Sequence, residues 1–113
     1  MPKICLMNYK VITIPKFEQS LKRLVKKYPS LKYEYIELVE SLRIKPEQGT
    51  FLGNHCYKIR LAIASKGKGK SGGARIITYV HIVESTVYLL FIFDKSEREN
   101  ISDTDLTELV GMI

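Results

Sequence analysis

Apolar residues recur along this chain with two different periods, and each change of period marks an element. Asn8 to Ile14 (Asn-Tyr-Lys-Val-Ile-Thr-Ile) is rich in β-branched and aromatic residues and stops at Pro15, which predicts a first strand. The spacing then turns helical: Phe17, Leu21, Leu24, Val25 and Tyr28 share one face, and Pro29 ends the run. Leu31, Tyr35, Leu38, Val39 and Leu42 repeat that spacing after Ser30, which reads as an N-cap. Two amphipathic helices joined by a tight break predict an antiparallel hairpin, and their apolar stripes need a sheet to cover.

Arg43 to Asn54 holds Pro46, Gly49 and Gly53 and reads as a loop. From Cys56 to Ala64 the period becomes two: Tyr57, Ile59, Leu61 and Ile63 fall on one side, and Lys58, Arg60, Ala62 and Ala64 on the other. Ala74 to Val83 and Val87 to Phe93 are almost wholly apolar, as central strands are, and the Glu84-Ser85-Thr86 turn links them. Within the first of these, Arg75, Ile77, Tyr79 and His81 share a face. Asp94 to Asn100 is a charged connector. Ser102 followed by Asp105 resembles a capping box, and Leu106, Leu109, Val110 and Ile113 form a last helical stripe. The order is therefore β-α-α-β-β-β-α. This predicts an α+β fold with the helical hairpin on one face of a mainly antiparallel sheet and the other face partly open.

A length of 113 residues suits one domain over 1–113, burying roughly 65% of its unfolded surface. The 45% hydrophobic and 27% charged content is that of a globular chain. No stretch approaches about 18 uninterrupted apolar residues, and Met1 to Met7 is too short an apolar run for a secretory signal, so a cytoplasmic protein without a membrane partner is expected. Cys5 and Cys56 are read as reduced thiols. With His55 and His81 they supply only one adjacent pair, His55-Cys56, so neither a metal site nor a cofactor is expected.

Charge changes the picture more than composition does. No Asp or Glu occurs between Glu47 and Glu84, while that window holds Lys58, Arg60, Lys66, Lys68, Lys70 and Arg75. These six cations equal the whole net charge of +6, so the rest of the chain is balanced. Segregated positive charge points to a polyanion, and a nucleic acid is the expected partner. At its centre, Ser65-Lys66-Gly67-Lys68-Gly69-Lys70-Ser71-Gly72-Gly73-Ala74-Arg75 alternates lysine with glycine. Such a segment brings backbone amides and ammonium groups close to phosphates. It is no nucleotide P-loop: Gly69-Lys70-Ser71 would require glycine where Ala64 stands, and a strand follows instead of a helix. Arg60 and Arg75 would face the open side of the sheet if their strands are neighbours, where two guanidiniums can clamp a phosphodiester. Lys95 follows the last strand. Asp94 pairs with it or caps the strand end, and Tyr79 either packs or stacks on a base.

Tyr57-Lys58-Ile59-Arg60-Leu61-Ala62-Ile63, Gly67 to Arg75, and Val87 to Glu97 with its Phe93-Asp94-Lys95-Ser96-Glu97 end resemble the RelE/ParE superfamily of toxins from type II toxin–antitoxin systems, on the RelE/HigB-like side. The resemblance covers the C-terminal half well; the N-terminal half agrees in element order. It implies a RelE-like fold and a metal-independent endoribonuclease that enters the ribosomal A site, cuts mRNA and so stops translation. A cognate antitoxin would be its partner, in a hetero-oligomer. Two alternatives stay open: a ParE-like DNA gyrase inhibitor, and a catalytically weak RNA-binding member. The resemblance puts catalytic or substrate-clamping roles on Lys68, Lys70, Arg75 and Lys95, with Arg60 supporting, and aligns Asp94 with an acidic position of some HigB-like members. Together with the charge window, catalysis is expected of Arg75, Lys95 and Lys68 and RNA binding of Arg60, Lys58, Lys66 and Lys70, with Asp94 and Tyr79 as further candidates. One departure stands out. RelE-type enzymes often carry a functional tyrosine after the last strand, where this connector has Asn100-Ile101. Either a lysine performs the proton transfer, or Tyr79 replaces the phenol from the sheet, or cleavage is weak or absent.

Overall fold

Pro15 has no amide hydrogen to give a strand ladder but suits the first turn of a helix, and the chain changes element there. The computed structural model describes residues 8–67 and 72–113, with strand β1 at Lys10–Thr13 and helix α1 at Pro15–Lys27. Helix α2 follows at Leu31–Ile44. Phe17, Leu24, Leu31, Leu38 and Leu42 are buried, and Leu21, Val25, Tyr28, Tyr35 and Val39 pack partly buried against the same core. Ser30 departs from the expected N-cap. Its backbone is already helical and its side chain caps no amide of α2, because the hydroxyl donates to Glu34 and accepts from the Ser65 amide of a distant segment.

The remaining elements are β2 (Thr50–Gly53), β3 (Cys56–Leu61), β4 (Ala74–His81), β5 (Thr86–Asp94) and α3 (Asp103–Val110). Among the described residues they form one five-stranded sheet in the order β1-β5-β4-β3-β2. β1 runs parallel to β5 and every other pair is antiparallel. The expected element order holds with one strand added. β2 lies inside the segment read as a loop, where glycines on both sides conceal a four-residue strand. Its turn to β3 is two residues, Asn54 and His55, both with positive φ, the backbone twist a tight hairpin favours. Gly49 enters this hairpin at φ +90°, with its α-carbon so close to β3 that a side chain there would strike the Lys58 carbonyl. At the other end β3 stops at Leu61, short of the expected Ala64. Its partner β4 begins at Ala74, opposite Leu61, so the ladder ends there, and Ala64–Lys66 turns as a short 3₁₀ segment.

Register sorts the two sheet faces. Ala74, Ile76, Thr78 and Val80 stand opposite Asp94, Ile92, Leu89 and Val87, with a bulge at Leu90 between the Ile77 and Thr78 pairings. This face lies under the helical hairpin: the Ile92 amide donates to Ser20 Oγ of α1, and Tyr28 at the end of α1 donates to Asp94. Arg75, Ile77, Tyr79 and His81 alternate to the other face, where they meet Phe93, Phe91, Tyr88 and Thr86 on one side and Arg60, Lys58 and Cys56 on the other. Helix α3 covers part of this second face near Phe91, with Ile101, Leu109 and Met112 around the same hollow as that ring. No helix among the described residues is long and apolar enough to cross a membrane.

Candidate nucleic-acid interface

Antiparallel pairing of β3 with β4 sets Arg60 directly opposite Arg75. Two guanidiniums are thereby carried on neighbouring strands, on the face away from the helical hairpin. Arg75 is only 4% exposed, and its Nη1 donates to the Ala74 carbonyl at 3.1 Å. Burial, and then the positive field of Arg60, push the Arg75 pKa down. Arg60 is exposed and makes no hydrogen bond or ion pair among the described residues. An arrangement that crowds two cations favours a bound anion, which relieves their repulsion.

Lys58 lies two residues along β3 on the same face, and its Nζ reaches Asn100 Oδ1 at 3.3 Å. The connector is thus tied to the sheet at the point where the expected phenol is missing. Lys95 follows β5, and its amide donates to the Gly73 carbonyl at 3.0 Å. That bond extends the ladder by one residue, so strand alternation carries Lys95 to the Phe93 and Arg75 side. Its only ion pair among the described residues is a long one, 3.9 Å to the highly exposed Glu99. Two further cations that sequence reasoning passed over border this face. Lys16 Nζ and Arg98 lie over the Phe91 ring at 5.4 and 5.6 Å, and Arg98 also pairs with Asp105 at 3.2 Å. Arg98 sits in the very segment that carried the resemblance; Lys16 had no signal beyond its charge, since only tertiary packing brings α1 to Phe91.

Three sequence candidates lie elsewhere. Lys66, read as an RNA contact, is 9% exposed on the helical-hairpin side, where its ammonium pairs with Asp94 and Ser96 and lies 5.6 Å from the Tyr28 ring centre. Its ammonium is thus already engaged by a carboxylate and a hydroxyl on the face opposite Arg60 and Arg75. Asp94 is fully buried on that same side. Burial alone would raise its pKa, but Lys66, the Ser96 amide, Tyr28 and the Ser96 hydroxyl outweigh it and hold the carboxyl well below the usual range. Tyr79 shares the Arg75 face but stands four residues along β4, about 13 Å at strand rise. Its neighbours are rings: His55 at 5.6 Å, Tyr88 at 6.3 Å and His81 at 6.4 Å. Lys68 and Lys70 lie outside the described residues.

These elements define a small α+β protein with cations gathered on one face of its sheet. Residues 18–112 match the model of the RelE toxin of the RelE/RelB toxin–antitoxin system, and the chain belongs to this RelE toxin family. Solved structures share the fold. A variant of E. coli toxin RelE with two arginines replaced by alanine, in the free state, superimposes with a TM-score of 0.56 at 21% identity, over 95% of this chain and 99% of that one. The isolated E. coli RelE toxin gives 0.51 at 19% identity, over 93% and 99%. The same arginine variant in complex with a peptide of antitoxin RelBc gives 0.50 at 21% identity, over 95% and 99%.

Proposed function

We propose that this protein is the toxin of a toxin–antitoxin pair and cuts mRNA on the ribosome, with the Arg60–Arg75 pair as the phosphate clamp of its site. The direct cross-strand opposition of those two residues carries the reading. In the reaction, the RNA 2′-oxygen attacks the adjacent phosphorus, an O2′–P bond forms and the P–O5′ bond breaks. The products are a 2′,3′-cyclic phosphate and a 5′-hydroxyl. One proton leaves the 2′-hydroxyl and one reaches the departing 5′-oxygen. No protein nucleophile and no external oxidant or reductant is required. Arg75, backed by Arg60, stabilises the extra negative charge of the five-coordinate phosphorus. Lys95 assists the 5′-oxygen, Lys58 holds the RNA backbone, and Lys68 and Lys70, from the glycine-lysine segment, contact phosphates or accept the 2′-hydroxyl proton.

Membership in the RelE toxin family favours this over gyrase inhibition. Its partner is a cognate antitoxin, in line with the complex that the E. coli RelE variant forms with a RelBc antitoxin peptide. A target on the translating ribosome places its work in the cytoplasm. The test is an in vitro translation assay with primer extension across the message. Wild type gives codon-phased 5′ ends, and Arg75→Met lowers cutting by about 100-fold or more. Unchanged cutting in Arg75→Met and in Lys95→Ala would remove both residues from the site.

The absence of a tyrosine from the 95–101 connector, with Tyr79 well down the strand, favours one second reading: an RNA-binding member that does not cut. Such a protein binds RNA with a salt slope of about −0.7 per phosphate contact and leaves the message intact.

A further inference from the structure

The Asp94 carboxylate meets groups from three separate parts of the chain. Lys66 Nζ and the Ser96 hydroxyl and amide all converge on Oδ1, the last two at 2.8 and 2.9 Å. Tyr28 Oη, at the end of α1, donates to Oδ2 at 2.7 Å, and Lys27 Nζ lies 3.9 Å from the same oxygen. Every one of these contacts is on the helical-hairpin side of the sheet. The residues on either side of Asp94, Phe93 and Lys95, belong to the opposite face, and its cross-strand partner Ala74 is bonded directly to Arg75.

From this we propose that Asp94 is a positioning residue: from the reverse side of the sheet it fixes the turn that presents Lys95, and ties the end of β5 to the end of α1 and to the 3₁₀ turn that follows β3. The bond from the Ser96 amide back to the Asp94 side chain closes a turn across Lys95, so the lysine backbone is held at both ends. On one side stands that turn; on the other is the Lys95 amide bond to Gly73. Lys66 anchors a second segment to the same carboxylate. Its 3₁₀ turn is held in place as well by the Ser30–Ser65 hydroxyl contact at 2.7 Å and by the Ala64 amide on Glu34 at 2.6 Å. Asp94 is fully enclosed and lies on the face opposite Arg60 and Arg75, which fits a role through Lys95 in place of contact with RNA.

This inference rests on the proposed cleavage, and its test separates the two. Asp94→Asn, Lys66→Met and the double variant Asp94→Leu/Lys66→Met are compared with wild type for mRNA cutting, melting temperature and amide hydrogen exchange. The double variant replaces the buried ion pair with an apolar pair and can recover stability without restoring the turn. The expected result is that it melts near wild type yet cuts with kcat down about 100-fold, with KM and the shape of the pH–rate profile unchanged. Its Lys95 and Ser96 amides then exchange faster while those of central β4 and β5 stay protected. Recovery of cutting together with stability would reduce Asp94 to a packing role and overturn the proposal. So would an Asp94→Asn profile that has lost a limb present in wild type, which would make Asp94 an acid or base. A wild-type protein that cuts no message would refute the cleavage reading instead; the exchange of Lys95 and Ser96 would still decide the positioning claim, since unchanged protection there refutes it.

Discussion

A charged side chain takes its role from what stands opposite it, and three residues of the acid-free window have three different fates. Arg60 is exposed with no acid bonded to it among the described residues, and Arg75 is buried beside it. Lys66 comes from the same window but is neutralised by Asp94, which the sequence places 28 residues away. Burial also sets the chemistry of Cys56. Its thiol is fully enclosed, donates to the Asn54 carbonyl at 3.4 Å, and is pushed up to about 11 by loss of solvent. A thiolate is the reactive form, so Cys56 should stay inert at pH 8 in the folded protein. In a C5S background, iodoacetamide is expected to label it only at urea concentrations that unfold the chain. Rapid labelling without urea would show that the β2–β3 turn opens locally.

At the level of elements, helix α3 depends on its first turn. Ser102 Oγ accepts from the Asp105 amide at 3.1 Å, which realises one half of the expected capping box. The other half is diverted, because the Asp105 carboxylate pairs with Arg98 instead of reaching back to the cap. Ser102→Ala is therefore expected to destabilise the protein by about 1 kcal/mol, read from the urea midpoint, with Ser102→Asp close to wild type. Because α3 covers only part of the second sheet face, mRNA cutting should fall less than stability does. A larger loss of cutting than of stability would mean that α3 itself takes part in the site.

For the molecule as a whole, the ion pairs that join the end of α1 to the end of β5 make stability depend on acid. Against the opposing effect of burial, Asp94 is held below its ordinary 3.8 by Lys66, Ser96 and Tyr28, and Glu97 below 4.5 by Arg23 first and then Lys27. Both folded-state values lie below the unfolded ones. Their contribution is therefore complete above the unfolded pKa and is lost as pH falls, because the unfolded chain takes up protons first. Melting temperature should hold steady from pH 7 to about pH 5 and drop below about pH 4, with a shallower drop in Asp94→Asn. A wild-type profile flat to pH 2 would show that these carboxylates are not held as described. Arg23, Lys27 and Glu97 are largely exposed, so salt should weaken their part while leaving the enclosed Lys66–Asp94 pair little changed.

Much of this architecture was written in local periodicity. The 3.6-residue stripes of α1 and α2, and the two-residue alternation that puts Lys58 and Arg60 on one side of β3 and Arg75 with Tyr79 on one side of β4, follow from neighbouring residues alone. So did the charge segregation that singled out Arg60 and Arg75. Strand pairing and burial were decided only by the folded chain, because they depend on residues distant in sequence. Register set Arg60 against Arg75, converted Thr50–Gly53 from a glycine-flanked loop into β2, and placed Tyr79 four residues from Arg75 along β4. Packing of α1 against the end of β5 buried Asp94 and drew Lys66 to it, since an enclosed carboxylate requires a cation and hydrogen-bond donors wherever in the chain they reside.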